Sequence, residues 1–154
     1  MEVRSTLKVI NEADVQGQRG VTEGQTYKRL VGCPEVVSTD RVRLGRASYL
    51  PGTYEQLHWH PIEACYYVIS GHATVRDFEG KEYEVGPGSI IYAPPGIAGA
   101  HEWEVKEGLE LLDIRATTET SRKMQFTVDK KTKRSYIDLD ELAKREGISF
   151  KSHY

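Results

Sequence analysis

Two histidines separated by one residue are the side chains of this sequence best placed to do chemistry. They are His58 and His60, which flank Trp59. The segment alternates like a β-strand, in which side chains two positions apart point to the same face. Two neutral imidazoles on one face can chelate a divalent transition metal such as Fe, Ni, Cu, Mn or Zn. The spacing therefore predicts a metal-binding pair on one strand.

The chain around this pair is cut into short pieces by glycine and proline, which favour turns. Between the turns lie runs rich in β-branched and aromatic residues, at a spacing near ten residues. This pattern is typical of an all-β sandwich or barrel. The predicted strands span residues 42–50, 54–60, 65–69, 72–77, 83–85, 89–92 and 109–115.

The order of glycines, prolines and histidines over residues 42–114 resembles the two sequence motifs of the cupin superfamily. The resemblance implies a single jelly-roll β-barrel that holds one divalent metal ion. It implies His58 and His60 as ligands from the first motif, and His101 as the ligand from the second. The residues that carry it are Gly52, His58, His60, Pro61 and Gly71, then Gly86-Pro87-Gly88, Pro94-Pro95-Gly96 and His101.

The first motif departs from the family at its fourth ligand. The family usually has an acidic residue four positions after the second histidine, where this chain has Ala64. Glu63 precedes that position, and it reaches the metal only if a bulge redirects it. We expect Glu63 to tune the site without being essential for holding the ion. Cys65 and, by a short likeness to ectoine synthase, Tyr92 are the alternatives.

The second motif also departs, because residues 97–100 lengthen the segment before His101. With Gly99 and Ala100 just ahead of the histidine, the chain resembles three-histidine cupin dioxygenases that cleave β-diketones. The resemblance implies an enzyme acting on a small carbonyl or hydroxy-acid substrate, with Fe2+ as the favoured ion. Zn2+, Ni2+ or Mn2+ would instead indicate an isomerase, lyase or hydrolase. A non-catalytic binding protein is the third alternative.

Strand parity suggests which polar side chains join the histidines. Gln56 and Tyr54 share the parity of His58, and Tyr66 shares the parity of Ala64. Together with Glu63, we take Gln56 and Tyr66 as the candidate catalytic residues. His72 and His153 match no ligand position and are predicted to lie on the surface. The aliphatic core is expected to include Val68, Val75, Ile90 and Leu111.

The ends of the chain differ from the middle. Residues 1–41 are predicted as an N-terminal arm with strands, 42–116 as the barrel, and 117–154 as an extension with a helix at 138–147. Asp138 and Glu141 favour the start of that helix, and Gly147 its end. Apolar residues at 3–10 and on the helix predict a homodimer, the commonest symmetric assembly. The helical residues are Leu139, Leu142 and Ala143.

Composition limits the classes of partner. The 154 residues include 21 basic and 23 acidic residues, with a net charge of −2. There is no excess positive charge to attract nucleic acid or an acidic membrane, so we expect only a small-molecule substrate. Residues 1–10 resemble neither a signal peptide nor a membrane span, which favours a cytoplasmic protein. Cys33 and Cys65 are then expected as reduced thiols.

Overall fold

The computed structural model describes residues 3–116 and 125–137, which form antiparallel strands joined by turns and two short 3-10 helices. The predicted all-β fold is confirmed. The strands are β1 (Gln18–Arg19), β2 (Gln25–Val31), β3 (Val42–Tyr49), β4 (Tyr54–Trp59), β5 (Ala64–Asp77), β6 (Glu82–Val85), β7 (Ile90–Ala93), β8 (His101–Ala116), β9 (Phe126–Val128) and β10 (Ser135–Tyr136), and the 3-10 helices are Glu12–Asp14 and Ile97–Gly99.

Strand β8 organises the sheet, because it pairs with three other strands. Its second half pairs with β3, its first half with β4, and β5 runs along most of its length. The order β1-β2-β3-β8-β4-β9-β10 forms one path, and β6 and β7 attach through β5. Two long strands thus link both halves of the jelly roll and position the residues between them.

The sequence pattern predicts two shorter strands in place of β5 and only the second half of β8. It separates 65–69 from 72–77 at Gly71, and it begins the last strand at 109 rather than at His101. Gly71 lies inside β5 at an irregularity of the β5–β8 pairing, with a φ of 84°. A Cβ there would collide with the carbonyl oxygen of Gly108, so glycine permits a bulge where a turn was expected.

The core lies on the inner faces of these strands. Along β8 most odd-numbered side chains point inward, among them Trp103, Val105 and Leu111, each no more than 2% exposed, whereas Glu107 is exposed. Val68 and Val75 are buried as predicted. Ile90 is 72% exposed, so its assignment to the core was wrong. Side chains of a strand alternate between its two faces. In β7 the inward ones are Ile91 and Ala93, which pack against the core, so Ile90 points outward.

Several expectations concern the ends of the chain. The helix at 138–147, its apolar residues and His153 lie outside the described residues. Within residues 3–41, the structure has β1, β2 and the first 3-10 helix. Cys33 is buried and Cys65 half-buried, both as free thiols. No helix among the described residues is both long and apolar enough to cross a membrane.

The core assignment predicts different costs for two aliphatic truncations. Leu111→Ala should lower the free energy of unfolding by about 2–5 kcal/mol, because it leaves a cavity in a fully buried site. Ile90→Ala should change it by about 0.5 kcal/mol or less, since that side chain is exposed. Urea denaturation of both variants is the measurement. Equal losses would contradict this account of the core.

Candidate metal centre

Three histidines meet inside the barrel, as the sequence predicted. His58 lies near the end of β4, His60 directly after it, and His101 at the start of β8 opposite His58. Each is 4% exposed or less. Their candidate ligand nitrogens lie within 4.8 Å of one another, and no other such group occurs among the described residues.

Two of the rings are fixed by backbone carbonyl groups. Nδ1 of His58 lies 2.7 Å from the carbonyl oxygen of Gln56, and Nδ1 of His101 lies 2.8 Å from that of Gly99. Because a carbonyl oxygen only accepts, each Nδ1 carries the proton and each Nε2 carries a lone pair. Hydrogen bonds of this kind, from the ring N–H that faces away from the ion, orient metal-binding histidines in proteins.

Burial also keeps these two rings neutral. It lowers the pKa of His58 to about 4, although the bond to the Gln56 carbonyl opposes the shift. Burial and the nearby His58 lower the pKa of His101 to about 3. The neutral ring is the form that binds a metal ion, so no proton has to leave either ring at neutral pH.

His60 has a different partner. Nη1 of Arg115 lies 3.2 Å from its Nδ1. A guanidinium only donates, so in this arrangement Nδ1 accepts and the ring proton lies on Nε2. Coordination through Nε2 of His60 would move that proton to Nδ1 and end the bond with Arg115. The third ring is therefore coupled to a buried cation.

A buried carboxyl group that strand alternation did not predict, that of Glu55, also lies at the cluster. Its Oε1 is 3.7 Å from Nε2 of His58, and the residue is 6% exposed. Tyr49 donates to its Oε2 at 3.2 Å, and Gln25 donates to the Tyr49 hydroxyl at 2.7 Å. Burial raises the pKa of Glu55, against the opposing effects of His101 and Arg115. The chain of donors holds this carboxyl group toward the histidines.

The reason for the omission is a register shift in β4. Its pairing with β8 is irregular between Glu55 and His58, so residues three apart both point inward. Strict alternation instead assigned Gln56 and Tyr54 to the histidine face. Gln56 contacts His58 through its carbonyl group and does not line the adjoining cavity. Tyr54 is 46% exposed and donates to Glu102.

Tyr66 lies at the cluster, as its parity suggested. It is 4% exposed, and its hydroxyl is 3.3 Å from Nε2 of His101. Because that nitrogen carries the lone pair, Tyr66 is the donor. Burial raises the pKa of Tyr66, so the phenol keeps its proton at neutral pH. The site thus contains a neutral hydroxyl beside a candidate ligand.

The structure does not bring the other candidates to the histidines. Glu63 is exposed and accepts a bond of 2.8 Å from Tyr92, which is itself 57% exposed. Cys65 alternates with the inward-facing Ala64 and Tyr66, so it lies on the opposite face of β5. No bulge turns Glu63 toward the histidines, as coordination of the ion by this residue would require. The side chain of His72 is 58% exposed beside Glu107, in keeping with a surface position.

A cavity of about 110 Å³ adjoins the three histidines, and charged side chains line it. Nε of Arg115 lies 2.7 Å from Oδ1 of Asp113. Tyr27 donates to Oδ2 of Asp113 at 3.0 Å, and Arg43 lies 3.7 Å from the same oxygen. Burial alone would raise the pKa of Asp113, but the two arginines lower it. Glu55, His60 and Tyr66 line the same cavity.

The residues present fit a divalent transition metal. Imidazole nitrogens suit Fe, Ni, Cu and Zn, and a carboxylate is a common additional ligand. Nε2 of His58 and Oε1 of Glu55 are both acceptors when the carboxyl group is ionised. Two acceptors that face each other at 3.7 Å are favourable only with a proton or a cation between them. A cation held by the three histidines and Glu55 would satisfy both atoms.

Comparison with known proteins agrees with this architecture. The family model described as a cupin domain matches residues 45–115. The polyketide cyclase RemF from Streptomyces resistomycificus is 23% identical with a TM-score of 0.63, over 72% of this chain and 80% of that one. KdgF from Halomonas sp. is 20% identical with a TM-score of 0.61, over 74% and 96%.

Oxalate decarboxylase from Lactobacillus farciminis is 21% identical with a TM-score of 0.62, over 80% of this chain but only 37% of that one. No curated protein sequence is significantly similar to this chain. At these identities the structural likeness concerns the fold alone. Together with the strand order, the match to the family model identifies residues 45–115 as a cupin domain, and the structural likeness shows the cupin fold.

Proposed function

We propose that this protein is a metal-dependent enzyme that acts on a small carbonyl or hydroxy-acid substrate. The observation that carries the proposal is the buried cluster of His58, His60 and His101 beside a cavity with further polar groups. Three imidazoles leave several positions on an octahedral ion for a substrate and water or dioxygen. A bound ion would act as a Lewis acid that polarises a substrate oxygen.

The protein groups around this centre suit such a substrate. Tyr66 is a protonated hydroxyl that can donate to a substrate oxygen. Glu55 supplies a carboxyl group on the side of His58. Because both are buried and backed by other side chains, they would orient a substrate with little reorganisation.

The Fe2+ dioxygenase remains the favoured version of this proposal, supported by the three-histidine ligand set. The neighbours of known structure carry names as different as cyclase, decarboxylase and lyase. A shared fold does not select among such reactions, which depend on the site. Isomerase, lyase or hydrolase chemistry with Zn2+, Ni2+ or Mn2+ is the alternative, and a non-catalytic binding protein is the third.

Metal analysis of protein purified without a tag or chelator tests the centre. We expect about one transition-metal ion per chain. Each of His58→Ala, His60→Ala and His101→Ala should lose most of it while circular dichroism stays unchanged, because the aliphatic core does not depend on the ion. His72→Ala is the matched control, since that side chain is exposed. Full occupancy in His101→Ala, or equal loss in His72→Ala, would refute the assignment.

The same analysis separates the reaction classes. Iron, with oxygen uptake by the iron-loaded protein on a 1,3-dicarbonyl probe, supports the dioxygenase. Zinc or nickel without oxygen uptake supports the isomerase, lyase or hydrolase. Metal binding with no turnover across 1,3-dicarbonyl and hydroxy-acid probes would favour the binding protein.

Glu55, rather than Glu63, is the carboxylate we propose as part of the centre. Glu55→Gln should weaken metal binding about 10- to 100-fold, because it removes the charge that faces His58 and alters the bond from Tyr49. Glu63→Gln removes the same charge from the surface and should leave affinity unchanged. Competition with a chromophoric chelator measures both. A greater loss in the Glu63 variant would reverse the assignment.

We also propose that the protein is a homodimer. Supporting this, the N-terminal segment at residues 3–10 leaves apolar side chains open, with Val3, Leu7 and Val9 at 92%, 81% and 87% exposure. Pairing would remove that surface from water. Sedimentation equilibrium at micromolar concentration should give the mass of two chains, and a mass near 17.4 kDa would contradict the proposal.

A further inference from the structure

We propose that Arg115 binds a carboxylate group of the substrate next to the metal centre, so that the substrate is a small organic anion. This inference rests on the proposed function and specifies its substrate class. A guanidinium presents parallel N–H donors that match the two oxygens of a carboxylate, which makes arginine the usual residue for such recognition. The position of this arginine is what distinguishes it from the chain's other basic residues.

Arg115 reaches the cluster because of its register in β8. His101, Asp113 and Arg115 are all odd-numbered residues on the inward face of that strand. The Arg115 side chain is only 14% exposed. Its Nε is fixed by Asp113, whereas its two terminal nitrogens point toward His60 and Tyr66, at 3.2 and 3.4 Å. The terminal edge of the guanidinium therefore faces the candidate metal ligands.

The charges around Arg115 leave room for another anion. Asp113 is shared between Arg115 and Arg43, so two guanidinium groups face one carboxylate. The partners of the terminal nitrogens, an imidazole and a phenol, are neutral. Glu55, the remaining acid of this cavity among the described residues, lies beside His58 and accepts from Tyr49. A buried cation is stable only with sufficient opposite charge, and a substrate carboxylate would supply it.

The lining of the cavity has an excess of positive charge. Arg19 and Arg29 also line it, so the described lining residues include four arginines and two acidic residues. A cleft with an excess of one sign of charge attracts small ions of the opposite sign and raises their rate of association. This preference is local, since the whole chain has a net charge of −2.

The contact between Arg115 and His60 further links anion binding to the metal. Once Nε2 of His60 coordinates an ion, Nδ1 carries the ring proton and can no longer accept from Arg115. Nη1 of Arg115 then needs a new acceptor, and a carboxylate held at the ion lies within the same small space. Anion binding should consequently be stronger in the metal-loaded protein than in the metal-free protein.

The test uses protein loaded with Co2+, whose visible absorption responds to new ligands, and malonate as the anionic probe. Malonamide, which replaces both carboxylates with neutral amides, is the control ligand. Arg115→Gln should weaken malonate binding about 10- to 100-fold and leave malonamide binding unchanged. Arg115→Lys keeps the charge but loses the paired donors, so it should give an intermediate loss. Arg46→Gln is the control variant, because Arg46 pairs with Glu12 and Glu110 away from this cavity.

Cobalt content is measured for every protein, and it separates the two claims. Wild-type protein that takes up no Co2+ would contradict the metal centre and this inference with it. Cobalt uptake with malonate affinity that is absent, or equal in wild type and Arg115→Gln, would overturn the inference alone. If Arg115→Gln loses cobalt, the decision falls to Arg115→Lys, where unchanged malonate affinity would overturn it.

Discussion

Three imidazole rings must stay neutral, buried and aimed at one point, and the rest of the site depends on this constraint. Desolvation enforces neutrality, as the low pKa values of His58 and His101 indicate. Backbone carbonyl groups accept from Nδ1 of His58 and His101, and these bonds fix the orientation of the two rings. Neither effect needs a metal ion. The barrel therefore prepares His58 and His101 as ligands through its own burial and hydrogen bonding, whereas His60 is held by Arg115.

Irregular strand pairing also determines which side chains reach the interior of the barrel. A regular β4 would place Glu55 and His58 on opposite faces, and the irregular pairing with β8 brings both inward. A bulge at Gly71 likewise shifts the register of β5 against β8. Both irregularities keep the core and the site on one inner surface, and both interrupt the regular alternation of side chains along a strand.

Those irregularities also mark the limit of prediction from sequence. The histidines and Tyr66 followed from motif and parity, because regular alternation holds where they lie. Glu55 was missed and Gln56 chosen in its place, since a register shift leaves no trace in a period-two pattern. Asp113 and Arg115 were detectable, because they continue the inward parity of Leu109 and Leu111. Charged residues at inward positions of a strand are unusual enough to indicate a site.

The centre is asymmetric, and the asymmetry bears on its chemistry. Glu55 lies near His58, and Arg115 lies near His60, so a ligand between them would meet an acidic group on one side and a cation on the other. Proteins with this fold differ in such peripheral groups rather than in the barrel. The choice of reaction therefore depends on the residues around the histidines as much as on the ion.

X-ray absorption at the edge of the bound metal tests the central claim most directly, because it counts the ligands of the ion itself. The account predicts imidazole scattering from three histidines, with nitrogen at about 2.0–2.1 Å, and additional oxygen ligands. A sulfur ligand at about 2.3 Å, or a shell without imidazole, would contradict it.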